Sequence, residues 1–173
     1  MEAKDIIQLL RLQRHDLMND LQIVHGYLSM GKTDKVKLKV EAIIDAFNQE
    51  RTLMNVDCPN FVLWLIQVNL HHKHIHFTYD IHTDDTSLYD YDRVLTNIGN
   101  TLIDNILADK LEIITGEVKL MSSNHSIELV VTLNGQSIDG NEWKERLSRK
   151  LDDVLIQVKE TGSDTRISFS IPS

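Results

Sequence analysis

The 173-residue chain has few of the residues that cross-link, break or anchor a fold. Its one cysteine, Cys58, excludes a disulfide within the chain, and no basic cluster lies near it in sequence to activate the thiol. Two prolines and seven glycines leave little material for flexible linkers. No apolar run approaches the roughly 20 residues that a membrane-spanning helix needs. Because the N-terminus also lacks an apolar signal segment, we expect a cytoplasmic protein.

The chain is also poor in positive charge. Its 18 Lys and Arg residues are outnumbered by 26 Asp and Glu, which gives a net charge of −8. All of this excess lies in residues 56–173, whereas residues 1–55 are electrically neutral. Without a basic stripe, the sequence predicts neither a nucleic-acid partner nor binding to an anionic membrane. Arg11 and Arg14 make the N-terminal region the one place suited to an acidic partner.

What the sequence does contain is a long N-terminal helix. Apolar residues recur at a spacing of three and four from Ile7 to Leu28, and Arg14 fills the one gap. This spacing predicts a single packed face on a helix that runs from about Lys4 to Met30. The members of this apolar seam are Ile7, Leu10, Leu17, Leu21, Val24 and Leu28.

A second helix is predicted from the turn at Gly31 to about Asn55, because apolar residues again step by three and four. Two long helices joined by so short a turn form an antiparallel hairpin. One hairpin covers only part of each apolar stripe, so we expect two copies to pair as a homodimeric four-helix bundle. The spaced apolar residues of the second helix are Val36, Val40, Ile43, Phe47 and Met54.

His15 lies one residue beyond the apolar seam, where the imidazole stays in water while the seam packs. Residues three, four or seven positions apart on a helix share a face. A neutral imidazole is a competent nucleophile near neutral pH, which makes His15 the candidate reactive group. The residues that share its face are Arg11, Met18, Asn19 and Gln22, and Asp16 adjoins it in sequence.

The run Arg14-His15-Asp16-Leu17-Met18-Asn19-Asp20-Leu21-Gln22 resembles a known motif. It is similar to the phosphoacceptor helix of the sporulation initiation phosphotransferase B family and of the related citrate- and dicarboxylate-type sensor kinases. The resemblance implies that His15 is phosphorylated, that Asp16 orients an imidazole nitrogen and that Asn19 hydrogen-bonds the phosphoryl group. Arg11 and Arg14 are candidates either to steer an acidic receiver or to pair with Asp residues of the chain, and Met18 is a packing or partner-facing residue. With Gln22 they form the candidate partner-binding surface. Spacing alone establishes only that these side chains share a face.

The domain boundary is predicted near Cys58, because Pro59 disfavours helix at the residue before it. A helical hairpin then occupies residues 1–56, and an α/β domain occupies residues 57–173. The order helix, strand, helix, hairpin, helix, hairpin predicts an α+β fold in which helices cover one face of a single sheet. The predicted helices are 61–71, 88–108 and 141–151, and the predicted strands are 75–81, 118–121, 127–133, 154–158 and 167–171, with a turn at 122–125.

This order of elements resembles the ATP-binding domain of histidine kinases. Leu95–Asn105 resembles its asparagine-bearing helix, although Thr101 stands where the first of two asparagines is usual. In the segment that matches Asp-x-Gly-x-Gly, Leu133 replaces the aspartate that reads adenine and Ser137 replaces the last glycine. No second glycine-rich loop follows. The resemblance therefore implies a degenerate ATPase domain without a working nucleotide site.

A run of histidines near the start of the predicted sheet raises the possibility of a metal site. No cysteine or carboxylate completes a recognisable zinc spacing there, and we expect no metal. The histidines are His71, His72, His74, His76 and His82.

The resemblance, taken with these features, implies a dimeric phosphorelay phosphotransferase of sporulation initiation. It would move a phosphoryl group through His15 between the aspartates of two response-regulator receivers, with Mg²⁺ on the receiver and no cofactor of its own. Few residues precede His15, so we expect the signal to come from a soluble partner. Two alternatives remain: an active cytoplasmic histidine kinase core and a non-catalytic dimeric regulator-binding module.

Overall fold

The computed structural model describes residues 3–72, 74–83, 87–111, 113–123 and 126–172. The chain divides into two compact units, Met1–Thr52 and Leu53–Ser173. Part of the turn predicted at 122–125, namely Asn124 and His125, lies outside the described residues. No helix in the described ranges is long and apolar enough to cross a membrane.

The first unit is a hairpin of two helices, α1 (Ala3–Ser29) and α2 (Thr33–Met54). Gly31 lies between them with a φ of +67°, a left-handed conformation that glycine adopts without a steric penalty. Two polar pairs join the helices. The Gln13 amide donates to Glu50 at 3.1 Å, and the Lys39 ammonium lies 2.6 Å from Asp20. Such pairs favour one register of the hairpin over its neighbours.

Contacts within the hairpin leave the predicted apolar seam largely uncovered. Leu21 is 48% exposed and Leu28 is 59% exposed, and on α2 Phe47 is 51% exposed. The apolar residues that the hairpin half-buries include Val24 of the seam and Val36 and Ile43 of the α2 stripe, as well as Leu9 and Leu12, which lie outside the seam. The face between the two helices therefore overlaps the predicted apolar stripes at these positions.

The second unit contains one five-stranded sheet in the order β1-β2-β3-β5-β4. Strand β1 pairs with β2 in parallel, and the remaining neighbours are antiparallel. The strands are β1 (Ile75–Thr83), β2 (Ile114–Ser123), β3 (Ser126–Asn134), β4 (Leu155–Thr161) and β5 (Asp164–Pro172).

The predicted strand 118–121 was too short, because β2 begins at Ile114 and includes Gly116. Glycine weakens an isolated strand, which is why the sequence pattern appeared to start later. In the sheet, a Cβ at Gly116 would collide with the Thr132 carbonyl oxygen on β3 and crowd the Phe77 ring on β1. The residue that interrupts the pattern is therefore the one that permits close strand packing.

In the described part of this unit, three α-helices accompany the sheet: α3 (Pro59–His71), α4 (Asp92–Ala108) and α5 (Gly140–Ser148). A 3₁₀ turn at Tyr89–Tyr91 leads into α4, where the sequence predicted continuous helix. Helix α5 ends three residues before the predicted position. The buried Asp92 carboxylate accepts hydrogen bonds from the backbone nitrogens of Asn60 and Phe61, which otherwise lack partners in the first turn of α3. This contact ties the start of α3 to the start of α4.

The hydrophobic core lies between these helices and one face of the sheet. Along β3 the residues on that face are buried, whereas Glu128 and Thr132 on the other face are only half-buried. Helix α4 contributes fully buried residues at helical spacing, among them Leu95, Ile98 and Leu102. The predicted architecture, a helical hairpin followed by a sheet with helices on one face, is confirmed.

Candidate functional site

His15 projects from the middle of α1, and its side chain is 68% exposed. The imidazole is accessible because it lies beside the apolar seam and not on the face that contacts α2. A helix of this length is stiff, so the ring has a fixed origin and only its own side-chain torsions to move it. This arrangement suits a nucleophile that must meet a reactive group carried by another molecule.

Two neighbouring side chains contact the ring at the same atom. The Asp16 Oδ1 lies 3.1 Å from the His15 Nδ1, and the Asn19 Nδ2 lies 3.2 Å from it. Spacing placed Asn19 one turn away on the same face, whereas residue i+1 normally points elsewhere around the helix. The short Asp16 side chain nevertheless reaches back to the imidazole.

The second ring nitrogen of His15, Nε2, forms no hydrogen bond with any part of the chain that the structure describes. A neutral imidazole carries its proton on one nitrogen and a lone pair on the other. When Nδ1 donates its proton to the Asp16 carboxylate, the lone pair is at Nε2. In that tautomer, Nε2 faces solvent with its lone pair and is the nucleophilic atom.

The surface around His15 is positively charged and partly apolar. Arg11 and Arg14 are exposed and form no ion pair within the described ranges, and Met18 and Gln22 are exposed beside them. Sequence reasoning missed a continuation of this surface, a shallow groove lined by Lys4, Ile7, Gln8 and Arg11. The signal was present, since Gln8 and Lys4 precede His15 by seven and eleven residues and so share its face.

In the second unit, the residues that match the nucleotide motifs of kinases point into the core or bond locally. Leu133 is fully buried on β3. Asn105 is 5% exposed and its amide donates to the Thr101 carbonyl oxygen at 2.7 Å. The hydroxyl of Ser137 donates to Glu160, and that of Thr165 donates to the Gln136 carbonyl oxygen. Each of these polar side chains therefore already has a hydrogen-bond partner within the second unit.

A surface depression of the second unit lies along the exposed side of α4. Its lining mixes opposite charges with amides, and Lys150 at its rim pairs with Asp104 at 3.2 Å. With Lys150 paired, Asp90, Asp152 and Asp153 remain in the lining against Arg93, so the balance of charge there is negative. The polar residues that line the depression include Asn60, Arg93, Asn97, Asn100, Lys150 and Asp153.

Cys58 and the histidine run were the other candidates for chemistry. Cys58 is fully buried, its thiol donates to the Leu88 carbonyl oxygen, and burial, with Asp92 and Asp57 nearby, raises its pKa to about 12. The thiol is therefore protonated and unreactive near neutral pH. Burial and the neighbouring His74 lower the pKa of His72. Among the described residues, no group of three or more His, Cys, Asp or Glu could hold a metal ion.

The helical hairpin matches a known protein family. Residues 1–56 match the family described as Sensor_kinase_SpoOB-type, alpha-helical domain. Sporulation initiation phosphotransferase B of Bacillus subtilis strain 168 is 29% identical over 100 residues, which are 58% of this chain and 52% of that protein. These two matches confirm the family resemblance predicted from the His15 helix. The chain spans about half the length of this curated relative.

Solved structures of histidine kinases resemble the chain in fold. The Acinetobacter baumannii histidine kinase AdeS matches with a TM-score of 0.50 and 15% identity, over 91% of this chain and 97% of that chain. The catalytic domain of histidine kinase ThkA matches with a TM-score of 0.45 and 12% identity, over 66% of this chain and 90% of that one. At 15% identity, the likeness to AdeS shows the fold alone.

Proposed function

We propose that this protein is a phosphotransferase of a two-component phosphorelay, and that it carries a phosphoryl group on Nε2 of His15. The single observation that supports this most is the exposed imidazole whose Nδ1 is engaged and whose Nε2 has no partner among the described residues. The match of residues 1–56 to the SpoOB-type family and the name of the Bacillus subtilis relative supply the reaction class and the role in sporulation initiation.

In the proposed reaction, the Nε2 lone pair attacks the phosphorus of an aspartyl phosphate on a response-regulator receiver. The N–P bond forms as the P–O bond breaks, and the aspartate leaves as a carboxylate. The Nδ1 proton stays, so the phosphorylated ring is cationic, and the Asp16 carboxylate at 3.1 Å stabilises that charge. Attack by the aspartate of a second receiver reverses the same steps and completes the relay.

The receivers supply most of the catalytic electrostatics in this proposal, including Mg²⁺. This protein contributes position, because α1 holds the attacking nitrogen in line. Arg11 and Arg14, which form no ion pair with the residues that the structure describes, complement an acidic receiver surface, and Met18 and Gln22 add contact area. Lys4 and Gln8 extend the same surface towards the N-terminus.

We propose that the working form is a homodimer joined along the apolar seam. Half-exposed seam residues occur on both helices, as Leu21 and Phe47 illustrate. Completing the burial of each such side chain contributes on the order of 1 kcal/mol. A stripe of this length, with Leu10, Leu17 and Leu28 in it, is larger than scattered surface residues require. Pairing two hairpins covers it on both copies.

We also propose that the second unit does not use ATP. Leu133 offers a buried apolar side chain where a carboxylate would read the adenine amino group, and the amide of Asn105 is committed to Thr101. A triphosphate would also lack the glycine-rich backbone that neutralises phosphate charge in kinases. These observations disfavour the alternative of an active kinase core.

The experiment mixes the purified protein with a receiver that carries labelled phosphate and follows the label. The wild-type protein is expected to take up an acid-labile, alkali-stable label, as a phosphoramidate does, and the His15→Gln variant is expected to take up none. His25→Gln is the matched control, since His25 is an exposed histidine of the same helix. Regulator binding without any transfer to the wild type would favour the non-catalytic module instead.

A further inference from the structure

The contacts from Asp16 and Asn19 require opposite protonation states of the same atom, Nδ1 of His15. A carboxylate oxygen only accepts hydrogen bonds, so the contact from Asp16 Oδ1 requires a proton on His15 Nδ1. The Nδ2 group of an asparagine only donates, so the contact from Asn19 requires an Nδ1 without a proton. A neutral imidazole carries one proton. The two contacts therefore belong to different tautomers of the ring.

The two tautomers differ in reactivity at the exposed atom. With Nδ1 protonated and bound to Asp16, the Nε2 of His15 carries a lone pair. With Nδ1 accepting from Asn19, the proton is on Nε2, and that nitrogen cannot attack. We propose that Asn19 is a positioning residue that holds unphosphorylated His15 in the non-nucleophilic tautomer, in direct competition with Asp16. This inference rests on the phosphoryl transfer proposed above.

Phosphorylation of Nε2 is compatible with the Asp16 contact but not with the Asn19 contact. In the tautomer bound to Asp16, the Nε2 lone pair forms the N–P bond, the receiver aspartate leaves with the electron pair of the P–O bond, and no proton moves. In the tautomer bound to Asn19, the Nε2 proton must first leave and Nδ1 must gain one. Once phosphorylated at Nε2, the ring retains the Nδ1 proton and has no acceptor site for the Asn19 amide. Phosphorylation therefore displaces Asn19 and favours Asp16.

This role and the role implied by the family resemblance predict opposite effects of removing Asn19 on the rate of phosphoryl transfer. If the Asn19 amide orients the phosphoryl group, its removal slows transfer. If the amide restrains the free imidazole, its removal speeds transfer from a phosphorylated receiver. The expected gain is about two- to tenfold, the equilibrium equivalent of one neutral hydrogen bond. Both side chains are short and belong to one helical turn, so the ring changes partner with a small rotation.

The test measures the tautomer itself, by nitrogen–proton correlation NMR of the full chain at about pH 9, where an ordinary histidine is neutral. Asn19→Ala is expected to raise the ratio of Nδ1-protonated to Nε2-protonated His15 about two- to tenfold. Asn19→Asp keeps the size of the side chain but supplies an acceptor, and it is expected to shift the ratio the same way. Asp16→Ala is expected to shift it in the opposite direction. His25 on the same helix serves as an internal reference whose ratio stays constant.

An unchanged ratio in both Asn19 variants would overturn the proposal, and so would a fall in the rate of transfer from a phosphorylated receiver to Asn19→Ala. A structural role for Asn19 would alter helix content without moving the tautomer ratio selectively, and circular dichroism separates the two. If the tautomer ratio shifts as expected while wild-type His15 never takes up label, the proposed function fails and the tautomer competition stands.

Discussion

The reactivity of His15 depends on contacts of about 3 Å with Asp16 and Asn19. All three residues lie within about one turn of α1, but helical spacing does not determine these contacts. Helical spacing predicted which residues share the His15 face. It did not predict that Asp16 reaches Nδ1, because a neighbour at i+1 normally diverges around the helix. That both side chains meet the same nitrogen follows from their rotamers and is visible only in the structure.

Asp16→Asn is expected to slow phosphoryl transfer to His15 about two- to fivefold. The variant loses the negative charge that stabilises the cationic phosphorylated ring, but an exposed pair is screened by water and contributes little. Time courses of phosphoryl transfer at low and high salt measure the effect. The difference in transfer rate between wild type and variant should narrow as the salt concentration rises. An unchanged rate at low salt would exclude Asp16 from the reaction.

At the scale of elements, α4 illustrates a packing constraint that its sequence alone conceals. The sequence predicted a helix here, and Gly99 is a residue of low helix propensity within it. In the structure it faces the Trp64 ring of α3, and a Cβ there would lie 2.5 Å from a ring carbon. Which helix packs against which glycine is set by tertiary structure, and a single sequence does not carry it.

Gly99→Ala is therefore expected to destabilise the second unit by about 1–3 kcal/mol, because the rigid Trp64 ring must move. Urea denaturation followed by tryptophan fluorescence measures this, since both tryptophans, Trp64 and Trp143, lie in that unit. The matched control is Gly26→Ala on α1, where nothing lies within 4 Å of the added Cβ. That change should raise the helical stability of the hairpin by up to about 1 kcal/mol. Equal effects of the two changes would contradict the packing argument.

The contact between α4 and α5 is expected to depend on pH through Asp109. Hydrogen bonds from the Arg146 guanidinium and the Trp143 indole nitrogen hold the pKa of Asp109 below its ordinary value. Because the folded-state pKa is depressed, the carboxylate stabilises the fold above its unfolded pKa of about 4, and this contribution is lost as the pH falls through the lower, folded value.

The free energy of unfolding of the second unit should therefore fall more steeply below about pH 4 in the wild type than in Asp109→Asn. Asp104→Asn is a suitable comparison, because Asp104 forms an exposed pair with Lys150 and should have a smaller influence. Parallel acid-unfolding curves for the wild type and Asp109→Asn would show that the cluster with Arg146 does not stabilise the fold.

At the scale of the whole molecule, the sequence predicted the helical hairpin and the sheet domain because long periodic segments carry strong signals. The family resemblance came from the short motif around His15. Predicted strand boundaries were wrong where a glycine interrupted the apolar pattern, as at the start of β2. The buried setting of Asn105 and Thr165 was also out of reach, since both look like free polar residues until the core closes around them.

The proposed dimer gives a prediction about assembly. Leu21→Glu places a charge in the middle of the apolar seam, where burial without a partner is unfavourable by several kcal/mol. Sedimentation velocity at micromolar concentration is expected to show a wild-type dimer and a dissociated variant. Asp45→Lys, a charge change at an exposed position of α2 away from the seam, should leave the dimer intact. A stable, folded wild-type monomer would contradict the bundle.

The central claim is that His15 relays phosphate between two receivers without ATP. Its most direct test is a two-step transfer in which one labelled receiver, this protein and a second receiver are mixed with magnesium and no nucleotide. Label is expected to appear transiently on this protein and then on the second receiver, and to reach neither when His15 is replaced by Gln. Label that reaches the second receiver through the His15→Gln variant, or a wild-type protein that is labelled only when ATP is supplied, would contradict the relay.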